Sequence, residues 1–187
     1  MNQLVAFAGL KRVGKDTAGA VLVGEGYVKV AFADPLKTMM ISLLTIRGAS
    51  HSEIIQMVEG DLKEVPSDYL SGRSARYAMQ TLGTEWGREI MANDFWIDAF
   101  NNRIALLKAA GKKVVVTDVR FDNEADAVRA QGGLVVHIDR PRAGYLDPHK
   151  SEAPLMRLAE DMVLENKYST RAQFENMVRY IFTAGKD

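Results

Sequence analysis

Cysteine is absent from this sequence, and histidine occurs only three times. The first absence excludes disulfide frameworks, thiolate metal sites and cysteine nucleophiles; the second leaves little room for a histidine-rich metal centre. A chain without cysteine is expected in the cytoplasm. An excess of charge of one sign is also missing. The 24 basic residues balance the 24 acidic ones, so no global cationic field gathers nucleic acid or an anionic membrane, and any polyanion site must be local. No apolar run approaches the ~20 residues of a membrane span, and the N-terminus opens on a short strand-like run rather than a charged leader and a long apolar segment. Internal repeats, low-complexity tracts and linkers are lacking as well. What is present is 187 residues, 47% of them hydrophobic, enough for a single domain with a sizeable core.

Leu4–Ala8 is an apolar run closed by Gly9, and Tyr27–Phe32 is a second, entered through Gly24 and Gly26. Lys113–Thr117, Leu134–Ile138 and the weaker Met162–Glu165 complete the set, and continuous β-branched runs suit strands covered on both faces. Helical segments separate them. Residues 15 to 23 follow the first glycine loop, and Asp34 reads as an N-cap with Pro35 at the first helical position, launching Leu36 to Leu44. Residues 73 to 82 and about 94 to 110 are helical by spacing, the latter with Phe95, Ala99, Ile104 and Leu107 inward. Asn123 to Gln131 stops at a glycine pair, and Thr170 to Gln173 is a capping box ahead of Phe174, Met177, Val178 and Ile181. This alternation predicts an α/β fold, a mainly parallel sheet of about five strands with helices on both faces. The least regular stretches, 48 to 72 and 140 to 153, are candidates for substrate loops or lids.

The sharpest motif is Gly9-Leu-Lys11-Arg12-Val-Gly14-Lys15-Asp16-Thr17, a G-x-x-x-x-G-K frame between the first strand and the first helix. Glycines let backbone amides turn inward, the helix start adds positive dipole, and Lys15 supplies a point charge to outer phosphates. Asp16 departs from the pattern, because Ser or Thr there normally offers a hydroxyl to magnesium. Either Thr17 supplies that hydroxyl or Asp16 holds the ion through water, and the sequence leaves both open.

A second constellation is Thr117-Asp118-Val-Arg120-Phe-Asp122-Asn-Glu124 at the carboxyl end of the third strand. Ligands of open α/β sheets bind there, so Asp118, Arg120 and Glu124 are expected to face the crevice of Lys15. Asp118 suits a magnesium- or water-organising carboxylate and Arg120 a phosphate clamp, with a structural ion pair as the alternative for both. Asp122 reads as the N-cap of the next helix. Arg73, Arg76 and Gln80 share one helical face, either a binding face or a solvated one. Lys37 sits in the first turn after Asp34, within reach of a phosphate, and Trp96 is a base-stacking or core aromatic. Arg140 and Arg142 open the stretch that also holds His149, Lys150 and Glu152. Cations on a closing loop suit a transferring phosphoryl group.

In this order, GLKRVGKDT, RYAMQTLGTEWGR, DFW, TDVRFDNEADAVRAQGG and HIDRP resemble the bacteriophage deoxynucleoside monophosphate kinases. The resemblance spans nearly the whole chain and is weakest from 45 to 72. It implies one domain over 1–187 with the P-loop fold, a substrate-binding insertion at about 45–100 and a lid-like segment at about 140–153. The implied reaction moves the γ-phosphoryl of ATP to a deoxynucleoside monophosphate, with magnesium. Lys11, Arg12, Gly14, Lys15, Asp16 and Thr17 would surround ATP, with Asp16 and Thr17 nearest the metal; the family shares the aspartate at position 16. Lys37, Arg76, Gly83, Thr84, Trp96, Asp118, Arg120 and Glu124 would surround the acceptor. Lys15, Asp118, Arg120 and Arg140 would be catalytic, Arg140 as a transition-state cation. Lys15, Lys37, Arg76, Arg120 and Arg140 form the neutralising set, and no general base is needed because a phosphate oxygen is already an anionic nucleophile. The resemblance also implies a homodimer, and the host cytoplasm for a phage-encoded chain. The rival readings are a kinase for another small metabolite and a nucleotide-dependent switch. Asn166-Lys167-Tyr168-Ser169 begins like a guanine-reading N-K-x-D motif but lacks its aspartate. A nucleic-acid-binding role has no basic stripe with interleaved aromatics to support it.

Overall fold

The computed structural model describes residues 3–140 and 155–183. The chain divides into two compact units, Met1–Phe32 with Phe100–Asp187, and Ala33–Ala99.

The first unit is built on a parallel sheet of β1 (Leu4–Ala8), β2 (Tyr27–Val30), β5 (Lys113–Val119), β6 (Leu134–Asp139) and β7 (Met162–Glu165), in the order β2-β5-β1-β6-β7. Register places Val5 beside Val115 on one side and Leu134 on the other, so β1 is central and wholly buried. That explains its unbroken apolar run, since a strand covered on both faces has no polar side to show. Val5 and Phe7 face α1 (Lys15–Gly24) and α7 (Arg171–Thr183), where Leu22, Phe174, Val178 and Phe182 close the core. The Phe7 and Phe182 rings meet edge-on at 5.9 Å. The alternate residue Leu4 and Val128 of α6 (Asp122–Ala130) both pack against Gly133.

All five expected strands are present, and their ends differ by a residue or two. Strand β2 stops at Val30, not Phe32, and β5 runs on to Val119. Two caps are corrected. Asp34 is the first helical residue of α2 (Asp34–Ile46), with Ala33 at the cap and Pro35 in the first turn. Asp122 opens α6, and its carboxylate accepts the Met156 N–H at 2.8 Å. The Thr170 box stands, with Thr170 Oγ1 accepting from Gln173 N and Gln173 Oε1 from Thr170 N, both at 3.3 Å.

The second unit holds the larger correction, because the stretch 48 to 72 is mostly regular. It contains α3 (His51–Val58), capped reciprocally by Ser50 and Glu53, then short 3₁₀ turns and a two-stranded antiparallel ribbon, β3 (Pro66–Ser67) with β4 (Arg73–Ser74). Arg73 therefore lies in the ribbon, its guanidinium 5.0 Å from the Tyr77 ring centre, off the helical face of Arg76 and Gln80. The helix α4 (Ala75–Thr81) continues as a π-helix over Leu82–Met91. The following α5 (Phe95–Ala109) buries Ile104, as expected, together with Trp96, Ile97 and Phe100, while the expected Phe95, Ala99 and Leu107 are half-buried. Leu44, Val58, Ala75 and Trp96 belong to this unit's core. Of the expected lid-like segment at 140–153, only Arg140 falls within the described residues; Arg142, His149, Lys150 and Glu152 lie outside them.

Candidate active site

The turn between β1 and α1 is shaped by backbone conformations that its glycines allow. Gly14 caps α1 at φ 116°, a left-handed value, and a methyl there would sit 2.9 Å from Asn166 Nδ2. Arg12 also adopts a positive φ of 67°. Lys15 folds back over the loop, donating to the Gly9 carbonyl at 2.6 Å and the Leu10 carbonyl at 2.8 Å. Those carbonyls hold the ammonium at the mouth of α1, whose first-turn N–H groups have no intrahelical acceptor and favour an anion.

A cavity of about 360 Å³ opens over this turn. It is lined by Arg12, Gly14, Lys15, Asp16 and Thr17 of the turn and helix start, and by Arg140, Asn166, Tyr168 through Arg171 and Phe174. Arg140 Nη1 reaches the Arg12 carbonyl at 3.4 Å. Asn166 is buried and donates to the Val13 carbonyl at 2.7 Å, tying the loop after β7 to the phosphate loop. The residue with the guanine-motif look is thus committed to the backbone. Tyr168, Ser169, Thr170 and Arg171 were not expected at the site. The sequence signal that places them at the site is position, since they follow the carboxyl end of a strand.

The carboxylate of Asp16 lies at the start of α1, its side chain 83% exposed. Its Oδ1 accepts from Lys29 Nζ at 3.0 Å and from the buried Thr117 hydroxyl at 3.1 Å. Desolvation by the surrounding protein pushes its pKa up, but the Lys29 hydrogen bond and charge, the Thr117 hydroxyl and the Lys15 charge outweigh that and hold it below the usual value. Among the described residues no three acidic or histidine side chains cluster as a metal cage. The Asp16 carboxylate, exposed on the cavity that Thr17 also lines, suits magnesium all the same, since that ion keeps several waters and takes one or two carboxylates plus substrate phosphates.

At the end of β5, Asp118 Oδ1 accepts the Phe32 N–H at 3.1 Å. Glu124 is buried, and its Oε2 accepts the backbone N–H of Arg120 at 2.7 Å and of Phe121 at 3.3 Å. It therefore fixes the β5–α6 turn that carries Arg120.

The other expected acceptor residues belong to the second unit. Lys37 pairs with Glu59 at 2.8 Å and Arg76 with Glu64 at 2.9 Å. Gly83 and the buried Thr84 lie in the π-helix, a form that recurs at functional positions. Trp96 is 3% exposed, its indole N–H donating to the Gly83 carbonyl at 2.8 Å and its ring against Phe95 and Trp86. In this structure that ring is core, with no open face for a base.

The deoxynucleotide monophosphate kinase family model matches residues 52–177. A provisionally named deoxynucleotide monophosphate kinase of Acanthamoeba polyphaga mimivirus is 30% identical over 194 residues, covering 98% of each chain. The chain belongs to the deoxynucleotide monophosphate kinase family. The phage T4 enzyme of that name is 32% identical over 109 residues, 56% of this chain and 44% of its own. A dephospho-CoA kinase of Campylobacter jejuni shares the fold, with a TM-score of 0.51, 15% identity and coverage of 97% of this chain and 96% of its own. Membership makes the protein an ATP-dependent nucleotide kinase and favours a deoxynucleotide acceptor over the small-metabolite and switch readings. No helix among the described residues is long and apolar enough to cross a membrane.

Proposed function

We propose that the kinase binds ATP in the cavity over the phosphate loop and transfers its γ-phosphoryl to a deoxynucleoside monophosphate. An acceptor phosphate oxygen forms the new bond to the γ-phosphorus, the bond from the β–γ bridging oxygen breaks, and ADP leaves with that electron pair. The observation that carries this reading is the convergence of the Lys15 ammonium and the α1 N-terminus on one cavity.

Lys11, Arg12, Gly14, Lys15 and Thr17 hold the triphosphate, and Lys15 exchanges its two carbonyl partners for phosphate oxygens. Arg140, on the same cavity, neutralises charge developing during transfer. Asp16, Thr17 and Asp118 supply oxygens for a magnesium ion, which would screen the phosphate charges. Arg120 clamps the acceptor phosphate from a turn that Glu124 keeps rigid. Residues from about 45 to 100 form the acceptor-binding part. Arg76 in that part, and Lys37 on the preceding α2, each pair with a carboxylate, the charge type a monophosphate would replace. Gly83 and Thr84 contribute backbone and hydroxyl groups, and Trp96 supports them from the core. The partner is a small deoxynucleotide rather than nucleic acid or membrane. The proposal extends to a homodimer in the cytoplasm, and light scattering of the purified chain tests the dimer.

A coupled ADP-release assay with ATP and magnesium, offering each deoxynucleoside monophosphate and its ribose counterpart, decides the reading. Stimulation by deoxynucleotides is the expected result. ADP release that no acceptor changes would make the chain a hydrolase and end the proposal.

A further inference from the structure

Asp16 occupies the position where a phosphate loop usually carries a hydroxyl, and its carboxylate is already engaged. Lys29 reaches it from β2 and Thr117 from β5, adjacent strands in which Lys29 stands in register with Val115. Two neighbouring strands of the sheet thus deliver their side chains to one oxygen at the start of α1. Lys29 is the residue of β2 that turns outward, exposed in a strand closed at both ends by buried Tyr27 and Val30. Its ammonium lies 3.0 Å from Oδ1, and at 49% side-chain exposure it retains part of its hydration.

We propose that Lys29 is a positioning residue of the kinase that acts through Asp16 and sets how strongly ATP binding depends on magnesium. The inference rests on the ATP reading of the cavity. A bare carboxylate beside a triphosphate repels metal-free ATP and favours ATP that arrives with a divalent cation. With Lys29 paired to it, that carboxylate is charge-compensated, and the relief is larger for metal-free ATP, which carries more negative charge than ATP with its cation. Thr117 fixes the same oxygen from the other side without changing the charge. Lys29 therefore governs the ratio of the two affinities rather than their common strength.

The test is calorimetric titration of ATP into the full chain and into Lys29→Met, once with excess magnesium and once with EDTA. We expect the ratio of metal-free to magnesium Kd to rise about twofold to fivefold in Lys29→Met, chiefly through weaker metal-free binding. In an Asp16→Asn background the same substitution leaves that ratio unchanged. Equal weakening of both forms would signify a structural lysine and overturn the proposal; so would an unchanged ratio, or the same rise without the Asp16 carboxylate. Wild-type protein that binds neither form would overturn the ATP reading itself, whereas normal ATP binding with an unmoved ratio would overturn only the role of Lys29.

Discussion

Replacing Asn166 by alanine removes the side chain that joins the loop after β7 to the phosphate loop. In the folded protein its amide donates to the Val13 carbonyl at 2.7 Å, and both residues are buried. The variant leaves that carbonyl without its partner and out of reach of bulk water, which costs about 1–3 kcal/mol. For a chain of this size the melting temperature should fall by roughly 3–10 °C. A second effect concerns binding. A phosphate loop no longer pinned at Val13 must be ordered by the nucleotide, and fixing one residue's backbone costs about 1–2 kcal/mol, a factor of roughly 5 to 30 in Kd. Thermal unfolding and ATP titration on the same preparation measure both effects. Saturating ATP should also stabilise the variant by less than the wild type, because part of the binding free energy goes into ordering the loop. An Asn166→Ala protein that melts within about 1 °C of wild type and binds ATP equally well would show that the bond does not hold the loop.

Lys15→Ala should keep the fold and lower turnover by roughly a hundredfold to a thousandfold, as expected for loss of a preorganised cation; near-native kcat in a folded preparation would remove Lys15 from the catalytic set. Gly87→Ala would drive a methyl into the Trp96 indole and strain its bond to Gly83, so a loss of about 1–3 kcal/mol in urea unfolding and altered tryptophan emission are expected. Neither changing would mean that the indole has room to move. Burial pushes the Asp161 carboxyl up, but the Arg129 fork, the Leu158 N–H and His137 outweigh it and hold its pKa at about 2, down from 3.8. A depressed carboxyl stabilises the fold above its unfolded pKa, so about 2 kcal/mol should be present above pH 4 and disappear as pH falls toward about 2. Asp161→Asn should start less stable and lack that acid-limb loss; parallel acid limbs for the two proteins would contradict the assignment.

Much of the first unit was readable because its signals are local. Strand β1, the glycine turn and Lys15 are contiguous, and their order alone specifies a helix start facing a strand's carboxyl end. The α3 helix has its own signature in Ser50 and Glu53, a capping box ahead of Ile54, Met57 and Val58. The π-helix had none, because an alternative hydrogen-bond register leaves no distinct apolar period in so short a segment. Trp96 illustrates a different difficulty: spacing gave it two readings, and burial against Gly83, Trp86 and Phe95 decided for the core. Glu124 gave a similar surprise, an acidic residue of a binding motif that binds its own turn.

By itself the sequence determined the α/β class, the five parallel strands and the phosphate loop, since each depends on residues a few positions apart. Only the tertiary structure decided that Asn166 clamps Val13 across 153 residues, and that Thr117 meets Asp16 across 101. Such pairs are fixed by strand order and register. A side chain's local pattern records whether it is buried or polar, but carries no information about which distant atom the fold will bring to it.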